Sequence, residues 1–405
     1  MFKKNLACGD GRIAEQKIRL PIVLLVILSA LGPFSMLVVV PLIPAISASF
    51  ARDYGSAQLV LSMYFIAFAF AQLTLGPLSD RFGRKPVLVA GLASYVIGSL
   101  MCWQALELEF MLLGRAFQAL GAAAGQVLTR VLLFDVYGKA RSASLIGYMT
   151  IAMVLGPMIA PIFAGFVSET IGWQNIFSLL FFASLIVFFW VLKSLPETRW
   201  LGTSQRQKPQ GFFEGLPLLK NWDFLSICGA WVFTSAVYFA FLAGAAFLVV
   251  EEMGKSEIEY GAYFVIASLC FMFGNLLSAR FSGKVGLYRF VQCGTFLAIL
   301  SVLTQWLLLD IDHPLSVFLP MFGVAIANGL VMPNAAAMIM GVVPRLSGAA
   351  SGLSGFLQIG FAAIITWLVG HFQFYHSFTM IIAMNICAVL AVTCVFLARK
   401  IDNVE

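Results

Sequence analysis

The chain has 405 residues, of which 61% are hydrophobic and only 11% charged, with a net charge of +6. A water-soluble fold of this length has no place for so much apolar surface. With about 20 apolar residues needed to cross ~30 Å of hydrocarbon, there is room for about twelve helical spans. The seven cysteines are scattered, without a CxxC pair or a histidine at ligand spacing, and no G-x-x-x-x-G-K-[ST] string is present. These absences argue against a zinc or redox module and an ATP-binding loop, so no cofactor or metal is expected.

Apolar runs predict helices at 20–42, 57–78, 87–104, 110–134, 143–166, 175–195, 223–249, 260–279, 289–309, 315–340, 347–370 and 377–398. The expected fold is therefore an all-α polytopic membrane protein of twelve transmembrane helices. The first run is long and lacks a small-residue cleavage site, so it reads as an uncleaved span rather than a signal peptide. Of the 25 Lys and Arg residues, all but Arg52, Lys255 and Arg115 gather at one face, together with both termini. Membrane insertion retains such residues in the cytoplasm, which places the N- and C-termini there and explains the basic excess without a nucleic-acid partner.

The stretch LPETRWLGTSQRQKPQGFFEGLPLLKN divides the chain near its middle. The reading is a cytoplasmic tail 1–19, a six-helix bundle 20–195, a linker 196–222, a second six-helix bundle 223–398 and a tail 399–405. The halves echo each other: Leu78-Ser79-Asp80-Arg81-Phe82-Gly83-Arg84-Lys85 returns 199 positions later as Leu277-Ser278-Ala279-Arg280-Phe281-Ser282-Gly283-Lys284. Both follow the second span of their half, as two homologous bundles require.

The loop after the second span sets one acid, Asp80, among Arg81, Arg84 and Lys85, flanked by Gly76 and Gly83. Asp80 can cap a helix or pair with arginine across a helix boundary, forming a latch; a plain positive-inside loop is the simpler account of its charge. Arg115 is the one cation that a predicted span holds toward its outer third, away from the basic face. A charge there is costly and should face protein or water, with snorkelling to the interface as the alternative. In the fifth span, Gly147, Gly156, Ala160-Pro161 and Ala164-Gly165 line one helix face suited to close packing, while Pro157 and Pro161 bend the helix.

These strings resemble the major facilitator superfamily. Its signature G-x-L-[AS]-D-R-x-G-R-[KR] is matched by Gly76, Leu78, Ser79, Asp80, Arg81, Gly83, Arg84 and Lys85. By resemblance this loop is a cytoplasmic gate that stabilises the outward-facing state. Arg115 and Gln118 look like the R-x-x-Q-G-x-G motif, with Ala119 at one glycine position; the resemblance implies a part in proton coupling. Gly147, Gly156, Pro161 and Gly165 follow the antiporter spacing G-x8-G-x3-G-P-x2-G-G, which implies export. Asp135-Val136-Tyr137-Gly138, Trp173-Gln174-Asn175-Ile176-Phe177, Leu195-Pro196-Glu197-Thr198 and Phe247-Leu248-Val249-Val250-Glu251 further resemble the Bcr/CflA branch, the bicyclomycin- and chloramphenicol-resistance type of drug:proton antiporter.

One departure matters. Where that branch holds an acid in its first span, this chain has Leu37 within Ser35-Met36-Leu37-Val38-Val39-Val40-Pro41. All 19 carboxylates fall at helix ends or in loops, and none at mid-membrane, which favours neutral or anionic substrates. If protons are coupled, Asp135, Asp53, His371 and His376 are the remaining candidates. Tyr64, Gln72, Gln126, Tyr148, Tyr238, Asn275, Asn328, Asn334 and Gln358 lie within spans and are candidates for a substrate cavity, with helix–helix hydrogen bonding as the alternative for each.

The expected function is secondary active export of a drug or an amphipathic or polar metabolite across a bacterial inner membrane, by alternating access and with the proton gradient as energy source. The expected partners are a small-molecule substrate and the bilayer, with the protein acting as a monomer. An importer or facilitator of the same fold is the alternative. A membrane enzyme would cluster His, Asp or Ser within its spans, so no enzymatic activity is expected.

Overall fold

The computed structural model describes residues 20–198, 216–308, 311, 313–342, 347–373 and 378–398. Both tails, most of the expected linker and His376 fall outside these ranges. So do the side chains of residues 134, 138–148, 150–152, 154, 157, 347, 348 and 373, which include Gly147, Tyr148 and Pro157.

The described chain is helical. Helix α1 spans Ile22–Leu37 and, after a 3-10 turn at Val40–Leu42, continues as α2, Ile43–Phe50. Pro41 and Pro44 lack the N–H groups that would carry one helix through this point. Asp53 caps α3, Tyr54–Phe82, by accepting from the Ser56 backbone N–H at 2.9 Å. Gly83, at φ 102°, makes the sharp turn into α4, Arg84–Trp103. There follow α5, Leu108–Ile171, and α6, Gln174–Ser194. The second half runs α7, Trp222–Ala246, prolonged by a π turn at Phe247–Glu252, then α8, Glu257–Val285, and α9, Leu287–Trp306. It ends with α10, Pro314–Val342, α11, Ser347–Gln373, and α12, Thr379–Leu397.

Helix α5 departs from expectation, because the fourth and fifth predicted spans form one unbroken run of helix-forming residues, 64 long. A straight helix at 1.5 Å per residue would part Gln126 from Met153 by about 40 Å. Yet the Gln126 Nε2 and Met153 Sδ atoms lie 3.9 Å apart, and Arg130 reaches the same sulfur at 4.0 Å. The chain therefore doubles back between Arg130 and Met153, and α5 is two antiparallel arms. Among the described residues eleven helices are long and apolar enough to cross a bilayer, the first arm of α5 among them, and the second arm contributes the shorter apolar helix Met158–Ile171.

In the first half, α5 packs on α1, α3 and α4, and α4 on α6; in the second, α10 packs on α8 and α9, and α12 on α7 and α9. The halves meet along two seams, α3 with α11 and α5 with α8. Outward-facing Phe70, Phe182, Ile186, Phe189, Leu276, Leu300 and Phe396 leave an apolar belt exposed, the surface a lipid bilayer covers.

Candidate functional site

The turn between α3 and α4 lies at the end of the bundle where the basic residues collect, here termed the basic end. Arg84 opens α4 and gathers the surrounding acceptors. Its guanidinium bonds to Asp80 Oδ1, donates to Ser79 Oγ at 2.7 Å, and donates through Nε to Asp135 Oδ2 at 3.2 Å. Thr198 Oγ1 donates to the same Asp135 oxygen at 3.2 Å. Asp80 thus pairs across the α3–α4 boundary, and Asp135, a candidate proton carrier by sequence, is joined to the gate motif. Lys85 Nζ donates to the Leu192 carbonyl at 2.9 Å, whereas Arg81 lies over the Phe82 ring.

Glu197 completes this layer. Its two carboxylate oxygens accept the backbone N–H groups of Arg84 and Lys85 at 3.0 and 3.1 Å, so it caps α4 from 113 residues away. A Cβ on Gly83 would stand 2.9 Å from Glu197 Oε2, a second reason for glycine there. The sequence displays Glu197 only as part of a string, because the helix end it caps is remote in the chain.

Arg115, on the first arm of α5, is fully buried, so the snorkelling alternative fails. Its Nε donates to the Val60 carbonyl at 3.3 Å, one terminal nitrogen to Gln118 Oε1 at 2.8 Å and the other to the Ser35 carbonyl at 3.0 Å. The Tyr64 ring lies 4.2 Å from the guanidinium carbon. Behind these, Gln118 Nε2 donates to Ser99 Oγ at 2.8 Å, Tyr64 donates to the Gly32 carbonyl at 3.1 Å, and the Ser35 and Tyr95 hydroxyls pair. Arg115 is thus stabilised by carbonyl and amide oxygens and an aromatic face, with no carboxylate within 4.0 Å among the described residues. Leu37 leaves no acid on α1 to serve it. Tyr64, a cavity candidate by sequence, is committed to this cluster because its ring and hydroxyl are both engaged in it.

At the opposite, far end the halves are closed. Gly165 lies against Glu257 and Ile258, and reciprocally Gly261 lies against Pro161 and Ile162; a Cβ on Gly165 would come within 2.7 Å of the Glu257 backbone and one on Gly261 within 2.8 Å of Ile162. The Ile258 N–H donates to Glu169 Oε1 at 3.3 Å. On the other seam Tyr54 donates to the Ala243 carbonyl at 2.9 Å and the Ser62 and Thr366 hydroxyls pair at 3.0 Å. Gln58, fully buried there against Gly370, has no hydrogen-bond partner for its amide among the described residues. Of the antiporter positions, Pro161 and Gly165 belong to this closure. Gly156 is loosely packed, with Phe34 the nearest neighbour at 3.7 Å, and Gly147 lies outside the described side chains.

Asp53 also sits at the far end. The Ser56 hydroxyl and backbone N–H hold its carboxyl below the usual carboxylate range, with His371 a weaker influence in the same direction. A group kept ionised in this way is poorly matched to proton exchange near neutral pH. In this structure its carboxylate serves as the cap of α3.

Along the α3–α11 seam, going toward the basic end, Phe70 meets Phe356 at 5.6 Å between centroids and Gln72 faces Gly355. One turn further, a Cβ on Gly76 or Gly352 would meet nothing within 4 Å. Among the described residues, the seam closed at the far end is thus open beside Gly76 and Gly352 at the basic end. Gln72 Nε2 donates to Gln126 Oε1 at 3.4 Å at the apex of that opening, and Gln358 donates to Ser235 Oγ at 3.0 Å. Tyr238 packs edge-on against Phe239 and Phe264. Asn328 and Asn334 are corrections: Asn328 donates to the Thr234 carbonyl and Asn334 to Ser278 Oγ, so both tie α10 to its neighbours instead of addressing a cavity. Asn275 donates to the Phe271 carbonyl of its own helix. Tyr148 lies outside the described side chains.

The chain matches the family model for the Major Facilitator Superfamily over residues 25–366. It is 26% identical over 370 residues to a bicyclomycin resistance protein homolog of Haemophilus influenzae, covering 90% of this chain and 92% of that protein. It is 24% identical over 343 residues to multidrug resistance protein D of Escherichia coli, covering 83% and 85%. A solved D-xylose-proton symporter superposes with a TM-score of 0.75 at 14% identity, covering 94% of this chain and 96% of the other, a likeness of fold. With the doubled-back α5, the paired seams and the Asp80–Arg84–Asp135 layer in place, the chain belongs to the major facilitator superfamily and is a multi-pass membrane transporter.

Proposed function

We propose that this protein exports a small amphipathic molecule across the bacterial inner membrane by alternating access, with twelve spans and its basic end in the cytoplasm. The observation that carries the reading is the asymmetry of the seams. Glycine-mediated contacts close the far end at Gly165 and Gly261, while the seam is open beside Gly76 and Gly352. A transporter in this state receives solute from the cytoplasmic side, and release requires the far-end contacts to part. Exchange for protons is inferred from the antiporter spacing and the drug-resistance relatives.

The test is transport in inverted membrane vesicles with an imposed pH gradient, screened across cationic, neutral and anionic aromatic compounds. Accumulation inside the vesicles, collapsing when the gradient is dissipated, is the expected result. Accumulation indifferent to the gradient overturns proton coupling, and uptake confined to right-side-out vesicles replaces export with import.

A further inference from the structure

We infer that Arg130 is the anion-binding residue of the basic-end cleft, and that the transported solute is an amphipathic anion carrying a carboxylate, sulfonate or phosphonate. This inference rests on the export reading for its physiological meaning, but not for its geometry.

Arg130 sits one helical turn, about 6 Å, beyond Gln126 on the first arm of α5 and shares its face. That face is fixed by contact. Gln126 pairs with Gln72, and Gln72 in turn lies against Gly355 of the opposite half. Each of the three neighbouring helices therefore takes the same step at this level. From Gln72 to Gly76 and from Phe356 to Gly352, contact between the halves gives way to open space, and from Gln126 to Arg130 a half-buried amide pair gives way to an exposed guanidinium. By charge and position alone it would pass for another basic-end residue facing the cytoplasm.

Two observations set it apart. First, among the described residues its guanidinium has no carboxylate within 4.0 Å, and its one recorded contact is the Met153 sulfur at 4.0 Å. The nearest acid along the helix, Asp135, is already shared by Arg84 and Thr198. Second, its surroundings suit the rest of an amphipathic solute: the Gln72 and Gln126 amides one turn deeper and the polarisable Met153 beside it. A planar guanidinium matches an oxyanion bidentately, and the low-dielectric walls of a cleft strengthen the attraction over that at an open surface. Among the described residues no acid lies within 4.0 Å of Arg130 to attract a cation there.

The experiment uses the full-length protein in phosphatidylcholine nanodiscs, without a gradient. It compares binding of an anilinonaphthalene sulfonate with that of the uncharged amine of the same ring system. Wild-type protein is expected to prefer the sulfonate about 10-fold at low salt, a preference eroded by raised ionic strength. In R130Q the ratio of the two affinities is expected to fall about 10-fold, and in R130K to be largely retained. A wild-type ratio near one overturns the proposal without any variant, as does a ratio that R130Q leaves in place. Adding phosphatidylglycerol separates the two sources of an anion, since competition by that lipid would assign the site to a headgroup and overturn the solute reading. Failure of the export reading is distinguishable: binding of the sulfonate with no movement in vesicles would sink export and leave the anion site standing, while export without anion preference would do the reverse.

Discussion

Arg84 Nε and Asp135 Oδ2 stand 3.2 Å apart and join the start of α4 to the basic end of α5's first arm, so two helices separated by about 50 residues move as one body there. Half-buried, this pair is better shielded than a surface ion pair, and a double-mutant cycle between Arg84→Gln and Asp135→Asn should return a coupling of about 0.5–3 kcal/mol. Chemical unfolding of the four proteins measures it, and strict additivity would show that the two do not act together. Asp80→Asn should insert normally yet transport far more slowly, because it removes the acid that pairs with Arg84 across the helix boundary; unimpaired transport refutes the gating role.

Glu197 supplies the N-cap that α4 lacks locally. Glu197→Ala should destabilise the basic end by about 1 kcal/mol and Glu197→Gln by less, since one amide oxygen still accepts from the Arg84 or Lys85 N–H. Hydrogen exchange in the first turn of α4 reads the change, and unaltered protection there would remove Glu197 from the layer.

Arg115→Ala should cost about 3–5 kcal/mol, because the Ser35 and Val60 carbonyls and Gln118 lose their donor in a dry interior. Arg115→Lys keeps the charge but not the fork, and should recover only part of the loss. Thermal unfolding in detergent ranks the three, and equal stability of the alanine variant and wild type would contradict the cluster described.

Gly165→Leu should drive the halves apart at the far end, since its Cβ would lie 2.7 Å from the Glu257 backbone. Distances between spin labels on either side of that seam should lengthen, and transport should fall. A distribution matching wild type would mean the interlock does not hold the closed state.

Asp53 tests pH dependence. Its folded carboxyl is held below the ordinary value of about 4 by Ser56, so its stabilising contribution is complete above that value and is lost as pH falls through the lower folded one. Asp53→Asn should therefore narrow the stability difference between pH 7 and pH 3 while leaving the pH profile of transport between pH 6 and 8 in place. A shift of that profile would restore Asp53 as a coupling group.

The apolar spans and the gate string were legible because hydrocarbon thickness and charge retention act on local composition. Arg115 was legible as costly, but its acceptors were not: Ser35, Val60 and Tyr64 are ordinary residues until α1, α3 and α5 are brought together. Glu197 and Gly261 escaped notice for the same reason, since their partners lie 113 and about 100 residues away. Arg130 was counted with the basic loops because a run of apolar residues does not reveal which of its ends turns into a cleft. The helical link between the two arms of α5 was not legible, because the polar stretch with Lys139 and Arg141 reads as a loop.

The protein partners of Arg115 outside its own helix all precede it in the chain: Ser35, Val60 and Tyr64 leave the ribosome first. A lone arginine within a membrane-spanning segment is costly in lipid, up to about 2.5–3.5 kcal/mol at the helix centre. Here that cost is met by helices already synthesised, so the order of residues along the chain is also an order of assembly.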